Sequence, residues 1–217
     1  DDENLTLIYG RQSCDTRKIE EDKIDVGNYK YGMHEIFVIF EDVFVPWENV
    51  FMKGEVEFSR EIVQRFAGFH RQSYGGCKSG VGDTLIGATA LAAEQLGVER
   101  ASHIKDKIAE MIHLNETLYC CGIACSALGF QREAGNFEED MLLANVTKLN
   151  VTRNPYLMTR LAEDIAGGII CTLPSIQDAK SEDVGPLLKK YLCTCEGVSL
   201  EERYKILRYI ENLTKPR

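Results

Sequence analysis

The stretch FSREIVQRFAGFHRQSYGG, residues 58–76, decides the fold, because the hydrophobic period changes within it. Ile62, Phe66 and Phe69 recur every three or four residues, which places them on one face of a helix. Ser59 stands where an N-cap is expected. Upstream the pattern is different. HEIFVIFEDVFVPWENVFM, residues 34–52, is rich in β-branched and aromatic side chains, with Ile36, Val38, Phe40, Val43, Val45 and Val50 in one run. Pro46 has no N–H to donate and is expected to end the strand pairing. GNYKYG, residues 27–32, is a turn or hairpin signal. Two or three strands alone are marginal, so residues 1–53 read as the last strands of a larger sheet.

Downstream everything reads as helix. GDTLIGATALAAEQLG continues the first helix and stops at Gly97. Residues 101–129 form a second long amphipathic helix, and 138–170 another, in which Pro155 either kinks the helix or restarts it. SLEERYKILRYIENL is a last helix, with Ser199 as cap and Glu202 at the capping-box position. The segment 172–198 is the loosest part and is expected to be a surface excursion. The expected fold is mainly α: the end of an antiparallel β domain at 1–53, then a helical bundle at 54–217.

The bulk numbers bound the function. A chain of 217 residues makes one or two domains with a real core. A net charge of −9 argues against nucleic acid and anionic membrane surfaces as main partners. An anionic cofactor stays open, since a local cluster can bind phosphate in an acidic protein. No run of about 18 apolar residues occurs, so no membrane span is expected. The acidic start, DDENLTLIYG, is no signal peptide and has no initiating methionine. Eight cysteines include adjacent pairs in helical sequence, a poor disulfide framework. A reducing, cytoplasmic setting fits better, with the cysteines as thiols or metal ligands.

FHRQSYGGCKSG, residues 69–80, concentrates the chemistry. His70 and Cys77 are seven residues apart, two turns on one helical face and roughly 10 Å along the axis. One metal ion, with bonds of about 2 Å, is reached by both only if the helix breaks, for which Gly75-Gly76 is the candidate. Alternatively the two hold different irons of one cluster, whose other ligands lie elsewhere. The plainer reading is a hydrogen-bonded histidine, a small apolar cysteine and glycines that allow close helix contact. Cys121 and Cys125 share a face at i, i+4 and read as core packing more readily than as a metal site. Cys193 and Cys195 read as a loop pair without function, and His103 and His113 as surface or capping residues. Glu35, at the mouth of a strand, is either an acid or base activated by burial or an exposed strand-end residue. EDIAGGII, residues 163–170, ends a helix with a glycine pair that either lets a ligand approach the backbone or caps the helix.

Five stretches together, IYGRQSCDTRKIEE, RFAGFHRQSYGGCKSGVGD, ASHIKDKIAEMIHLNETLYCCGIACSA, LLANVTKLNVTRNPY and RLAEDIAGG, resemble the 4-hydroxybutyryl-CoA dehydratases, which also act as vinylacetyl-CoA Δ-isomerases. The likeness runs over nearly the whole chain, and H-R-Q-S-Y-G-G-C-K is its most specific part. It implies an acyl-CoA dehydrogenase-like fold shared with the flavin-dependent 4-hydroxyphenylacetate 3-monooxygenases. It also implies a homotetramer that carries FAD and a [4Fe–4S] cluster and acts on an acyl-CoA substrate. By motif, His70 and Cys77 correspond to the family's histidine and one of its three cysteine ligands to the cluster. The other two cysteines belong to a C-x3-C upstream of this sequence, and a further active-site glutamate lies beyond its end. The chain therefore reads as a fragment, inactive by itself. Carried over by motif, His70 is the base, Glu35 assists with the hydroxyl or a proton relay, Tyr74 hydrogen-bonds substrate or stabilises a radical, and Lys78 adds positive charge near the thioester or flavin. Asp164, Gly167 and Gly168 resemble a segment that meets FAD across subunits. The rival readings are a flavin monooxygenase of the 4-hydroxyphenylacetate type, without iron, and a non-catalytic helical assembly module.

Overall fold

The computed structural model describes residues 4–9, 23–25 and 36–214. Strand β1 (Leu5–Tyr9) pairs antiparallel with β2 (Ile36–Phe40), with Leu5 opposite Phe40 and Tyr9 opposite Ile36. The β run ends earlier than Pro46. Glu41 still donates its N–H to Asn4 O (3.1 Å), but Asp42 adopts φ 54° and turns the chain out of the sheet. Aspartate is among the few residues that tolerate this conformation. Val43 and Val45 therefore lie outside the strand, and a single 3-10 turn covers Trp47–Asn49. The GNYKYG turn signal and Glu35 lie outside the described residues.

Helix α1 (Ser59–Leu96) runs 38 residues without interruption. Ser59 is its first helical residue rather than its cap; Phe58 holds the cap position and makes no side-chain capping bond. The helix stops where expected, at Gly97 in a left-handed conformation. The glycine pair at 75–76 does not break it. Gly75 instead meets Gly122 of α2 (Ser102–Ala127), the next helix. A Cβ on Gly122 would lie 2.7 Å from the Gly75 Cα, so the two backbones touch with no room for a methyl group. One turn on, the buried Asn115 of α2 donates to Ser79 O (3.1 Å) and to Asp83 Oδ1 (2.7 Å), both on α1.

Two features escaped the sequence pattern. A short hairpin, β3 (Phe130–Gln131) with β4 (Phe137–Glu138), links α2 to α3 (Met141–Val151). The segment 172–198 is also no loose excursion. It contains α5 (Ile176–Lys180) and α6 (Gly185–Leu192), and it buries Leu173 and Ile176. Ser175 and Asp178 form a capping box at the start of α5. Between these regions Pro155 restarts rather than kinks. It sits in the first turn of α4 (Asn154–Ala166), where its missing N–H costs nothing. Helix α7 (Leu200–Thr214) carries the anticipated box: Ser199 Oγ donates to Glu202 Oε2 (2.7 Å) and accepts from the Glu202 N–H (3.2 Å).

The core lies among α1, α2, α4 and α7, where Leu85, Met111, Met158, Leu161, Tyr204 and Ile210 pack together. It leaves one face of the first half of α1 uncovered. Phe66 is 73% exposed, and Ile62 and Phe69 are about half exposed, although their spacing is what marked the helix. Phe37, Phe40, Trp47 and Phe51 are open too. Among the described residues no helix is long and apolar enough to cross a membrane.

Candidate active site

The outward face of α1 carries the chemistry. Phe66, His70 and Tyr74 follow one another at i, i+4, i+8, the spacing that stacks side chains on a helix. The Phe66 and His70 rings are nearly parallel, 7° apart with centroids at 5.9 Å. Tyr74 meets His70 edge-on at 4.8 Å, and its Oη lies 2.7 Å from His70 Nε2. Cys77 follows one turn later, exposed, with its thiol free. His70 is exposed as well. Neither ligand candidate is packed into a dry helix contact; the small residue that makes the packing contact is Gly75.

Not every residue singled out joins this face. Lys78 opens onto a separate cavity of about 320 Å³ between α1, α2 and α4, lined also by Leu85, Leu118, Asn154 and Tyr156. The Asp164 carboxylate accepts a hydrogen bond from the Lys107 ammonium, and this pair holds the carboxyl below the usual carboxylate range. Arg160 and His103 add positive charge around it. Three residues on, Gly167 adopts φ 81° and ψ 165°, a conformation only glycine takes readily. A Cβ at Gly167 or Gly168 would meet no atom within 4 Å. The glycine pair thus leaves open space above bare backbone.

The other described cysteines divide: Cys125 is buried, Cys121, Cys193 and Cys195 are half-buried, and Cys120 and Cys171 are exposed. Cys125 is fully buried and donates to Asp140 O (3.2 Å). Burial pushes its thiol up to about 11. Alkylation at pH 8 is expected to label the exposed Cys77 and Cys120 rapidly and to spare Cys125 in the folded chain, which peptide mass spectrometry reads directly. Cys121 lies beside it, half-buried, and accepts from Asn150 Nδ2 at 3.5 Å. Burial also raises the Cys193 thiol. His103 and His113 are exposed, as their charged neighbours suggested. Among the described residues no group of three or more His, Cys, Asp or Glu converges on one point. One contributor to the α1 face was invisible in the sequence. Lys148 of α3 places its Nζ 4.7 Å from the Tyr74 ring centroid.

An uninterrupted long helix that opens a bundle, preceded by an antiparallel β segment, belongs to an acyl-CoA dehydrogenase-like fold. The family model for the C-terminal domain of 4-hydroxyphenylacetate 3-hydroxylase matches residues 59–215, and that for its N-terminal domain matches residues 1–52. The chain belongs to this family. Within it, 54% identity over 98% of the chain links it to the 4-hydroxybutyryl-CoA dehydratase/vinylacetyl-CoA Δ-isomerase of Clostridium aminobutyricum. A solved oxygen-tolerant archaeal 4-hydroxybutyryl-CoA dehydratase from N. maritimus superposes with a TM-score of 0.91 at 54% identity over 98% of the chain, and the chain covers 42% of it. The oxygenase component of 4-hydroxyphenylacetate 3-monooxygenase from Thermus thermophilus is 31% identical over 83% of the chain and 37% of its own length. The chain spans about half the length of the curated relatives it matches: 45% of the clostridial enzyme.

Proposed function

We propose that this chain supplies the helical part of an enzyme that dehydrates 4-hydroxybutyryl-CoA to crotonyl-CoA and water, and that isomerises vinylacetyl-CoA. The observation that carries the reading is the α1 face. His70, Tyr74 and Cys77 present donor and acceptor groups outward from an unbroken helix, in the segment that most resembles the dehydratases.

The residues fit a flavin. The open backbone at Gly167–Gly168 accepts a flat or phosphate-bearing group at close range, and three residues before it Asp164 is paired with Lys107. Asp164 acts there through Lys107, by fixing the ammonium, rather than as a free ligand. The residues fit an iron–sulfur cluster as two of its ligands. His70 and Cys77 are exposed and lie two turns apart, a separation suited to different irons, and among the described residues no third ligand converges on them. Bound together, FAD supplies one-electron chemistry and the cluster a Lewis acid, with no net redox change over the cycle.

The chain's own groups handle protons and position. His70 is the candidate base for a proton, and in this chain the Tyr74 oxygen lies 2.7 Å from its Nε2 as hydrogen-bond partner. The Phe66 ring lies nearly parallel to the imidazole. Lys78 brings positive charge to the mouth of its own cavity, where it can meet the polar end of an acyl-CoA. Glu35 is assigned to the departing hydroxyl by motif alone. The uncovered apolar surface of α1 and β2 is the face through which the remaining structure and further subunits of a homotetramer pack.

The test uses a chimera in which the flanking parts of the clostridial enzyme complete this chain. With Cys77→Ala, iron content and dehydratase rate are expected to fall together while the fold survives. Unchanged iron defeats the ligand assignment. A chimera that hydroxylates 4-hydroxyphenylacetate with reduced flavin and O2, and leaves 4-hydroxybutyryl-CoA untouched, defeats the dehydratase reading.

A further inference from the structure

A buried cation without a counter-charge sits in the first turn of α7. Arg203 is 2% exposed, and its Nε and Nη1 are sealed from solvent with no hydrogen-bond partner among the described residues. Burial holds the guanidinium below the usual arginine range. The neighbouring carboxylates are committed elsewhere. Glu202 accepts from the Ser199 N–H (2.9 Å) and Oγ (2.7 Å), and Glu201 pairs with the Lys205 ammonium (2.7 Å). Among the described residues, the groups that act on the Arg203 charge are two sulfurs, that of Cys193 first and that of Cys195 second. A charge buried without a partner is costly, so this arrangement asks for an anion.

The two cysteines lie in the loop between α6 and α7, which rests on the end of α1. Thr194 Oγ1 donates to Gln95 O (3.4 Å), and Cys195 Sγ donates to Glu94 O (3.8 Å). The Cys195 sulfur also fills the space beside Gly97, 2.9 Å from where a Cβ would stand. Cys195 is thus committed to α1. Cys193 makes no such bond to the described residues; it is extended (φ −97°, ψ 95°), half-buried, and its thiol is free. Burial raises that thiol, against the opposite pull of Arg203 and Lys189. At neutral pH the sulfur is therefore protonated and gives Arg203 no counter-charge.

An anion from solvent has no path to the sealed Nε and Nη1, and the guanidinium repels a metal cation. The remaining source is an anion made in place, on a sulfur that already lies beside the cation and keeps one side open to water. We propose that Cys193 is a site of oxidation by hydroperoxides, with Arg203 as the built-in counter-charge of the oxidised sulfur. In the first step a sulfur lone pair attacks a peroxide oxygen. The S–O bond forms as the O–O bond breaks, and the thiol proton passes to the departing oxygen, which leaves as water or an alcohol. A second hydroperoxide adds another oxygen to the sulfenic acid in the same way. Each step takes two electrons from sulfur and reduces one hydroperoxide. The sulfinic acid then loses its proton to water and stays as an anion against Arg203. None of this depends on the dehydratase reading.

The pairing is tested on this chain with Cys193→Asp, whose carboxylate stands in for the sulfinate, melted beside Cys193→Asn. With Arg203 present the aspartate is expected to melt roughly 2–4 °C above the asparagine. In an Arg203→Met background it is expected to melt below the asparagine, because the anion is then buried alone. Arg203→Gln serves the same purpose should the methionine variant fail to fold. An aspartate that melts at or below the asparagine in both backgrounds overturns the pairing. The modification is read by hydrogen peroxide treatment, trypsin and mass spectrometry of the peptide 191–203, which carries both cysteines and ends at Lys205 when Arg203 is replaced. Two oxygens are expected on Cys193 with Cys195 unmodified, and Arg203→Met is expected to lose most of this addition. Equal addition in Arg203→Met overturns the proposal. So does a peptide that loses two hydrogens, which marks a Cys193–Cys195 disulfide, or one that stays unmodified while the exposed Cys120 is oxidised.

Discussion

Exchanging His70 for glutamine in the completed chimera is expected to lower turnover by about 10²–10⁴-fold, the usual worth of a positioned general base. Glutamine keeps a polar group near Tyr74 and a similar reach but cannot take up a proton, so the substitution isolates basicity from shape. Flavin content is expected to stay the same, because the residues bracketing the open glycine pair at 167–168, Ala166 and Ile170, share a core cluster with Leu85, Ala88 and Ala92, in the half of α1 remote from His70. Flavin absorbance and iron content read alongside turnover separate three cases. Lost turnover with flavin and iron retained assigns His70 to proton transfer. Lost turnover with lost iron assigns it to holding the cluster. Retained turnover removes it from the mechanism. Tyr74→Phe ought to cost far less, since the imidazole survives and only its partner oxygen is removed.

The helical half of the fold was legible because its signals are local. The change of period at 58–76, the stop at Gly97 and the Ser199–Glu202 box each depend on residues within one or two turns, and each is where the pattern placed it. What the pattern hid depends on residues far apart in sequence. The segment 172–198 looked loose because its apolar residues are few and follow no long period. Yet Leu173 and Ile176 suffice to pin two short helices once α7 is present to receive them. The strand at 36–40 was extended too far because the valines beyond it suit a strand, whereas Asp42 has already turned the chain. The site divides in the same way. The Phe66, His70 and Tyr74 column lies on one helix and can be read from i, i+4 spacing. Lys148 comes from 74 residues downstream of Tyr74, and nothing in its own neighbourhood marks it. Lys78 and Asp164 were singled out by motif alone, and the structure sets Lys78 on a cavity of its own and pairs Asp164 with Lys107.

Adjacent glycines in the most distinctive motif should respond to the same substitution with opposite signs. At Gly76 a methyl group meets nothing within 4 Å, and the position is mid-helix. Gly76→Ala removes backbone freedom from the unfolded chain and is expected to stabilise by about 0.5–1 kcal/mol. At Gly75 the methyl group meets the Gly122 backbone, which has no flexible end to move aside. The helices must separate, and the whole α1–α2 seam, including the Asn115 bonds to Ser79 and Asp83, must shift with them. Gly75→Ala is expected to destabilise by about 1–3 kcal/mol, the usual cost of overpacking. For a chain of this size each kcal/mol moves Tm by roughly 2–4 °C, so thermal melts should rank Gly76→Ala above wild type and Gly75→Ala clearly below it. Gly122→Ala should resemble Gly75→Ala. The double variant should lose less than the sum, because one separation of the helices relieves both clashes. If Gly75→Ala melts with wild type, the two helices do not touch there, and the outward placement of His70, Tyr74 and Cys77 loses its support. That placement depends on Gly75 facing inward, since on a helix the side chains of 70, 74 and 77 occupy the face that 75 leaves free.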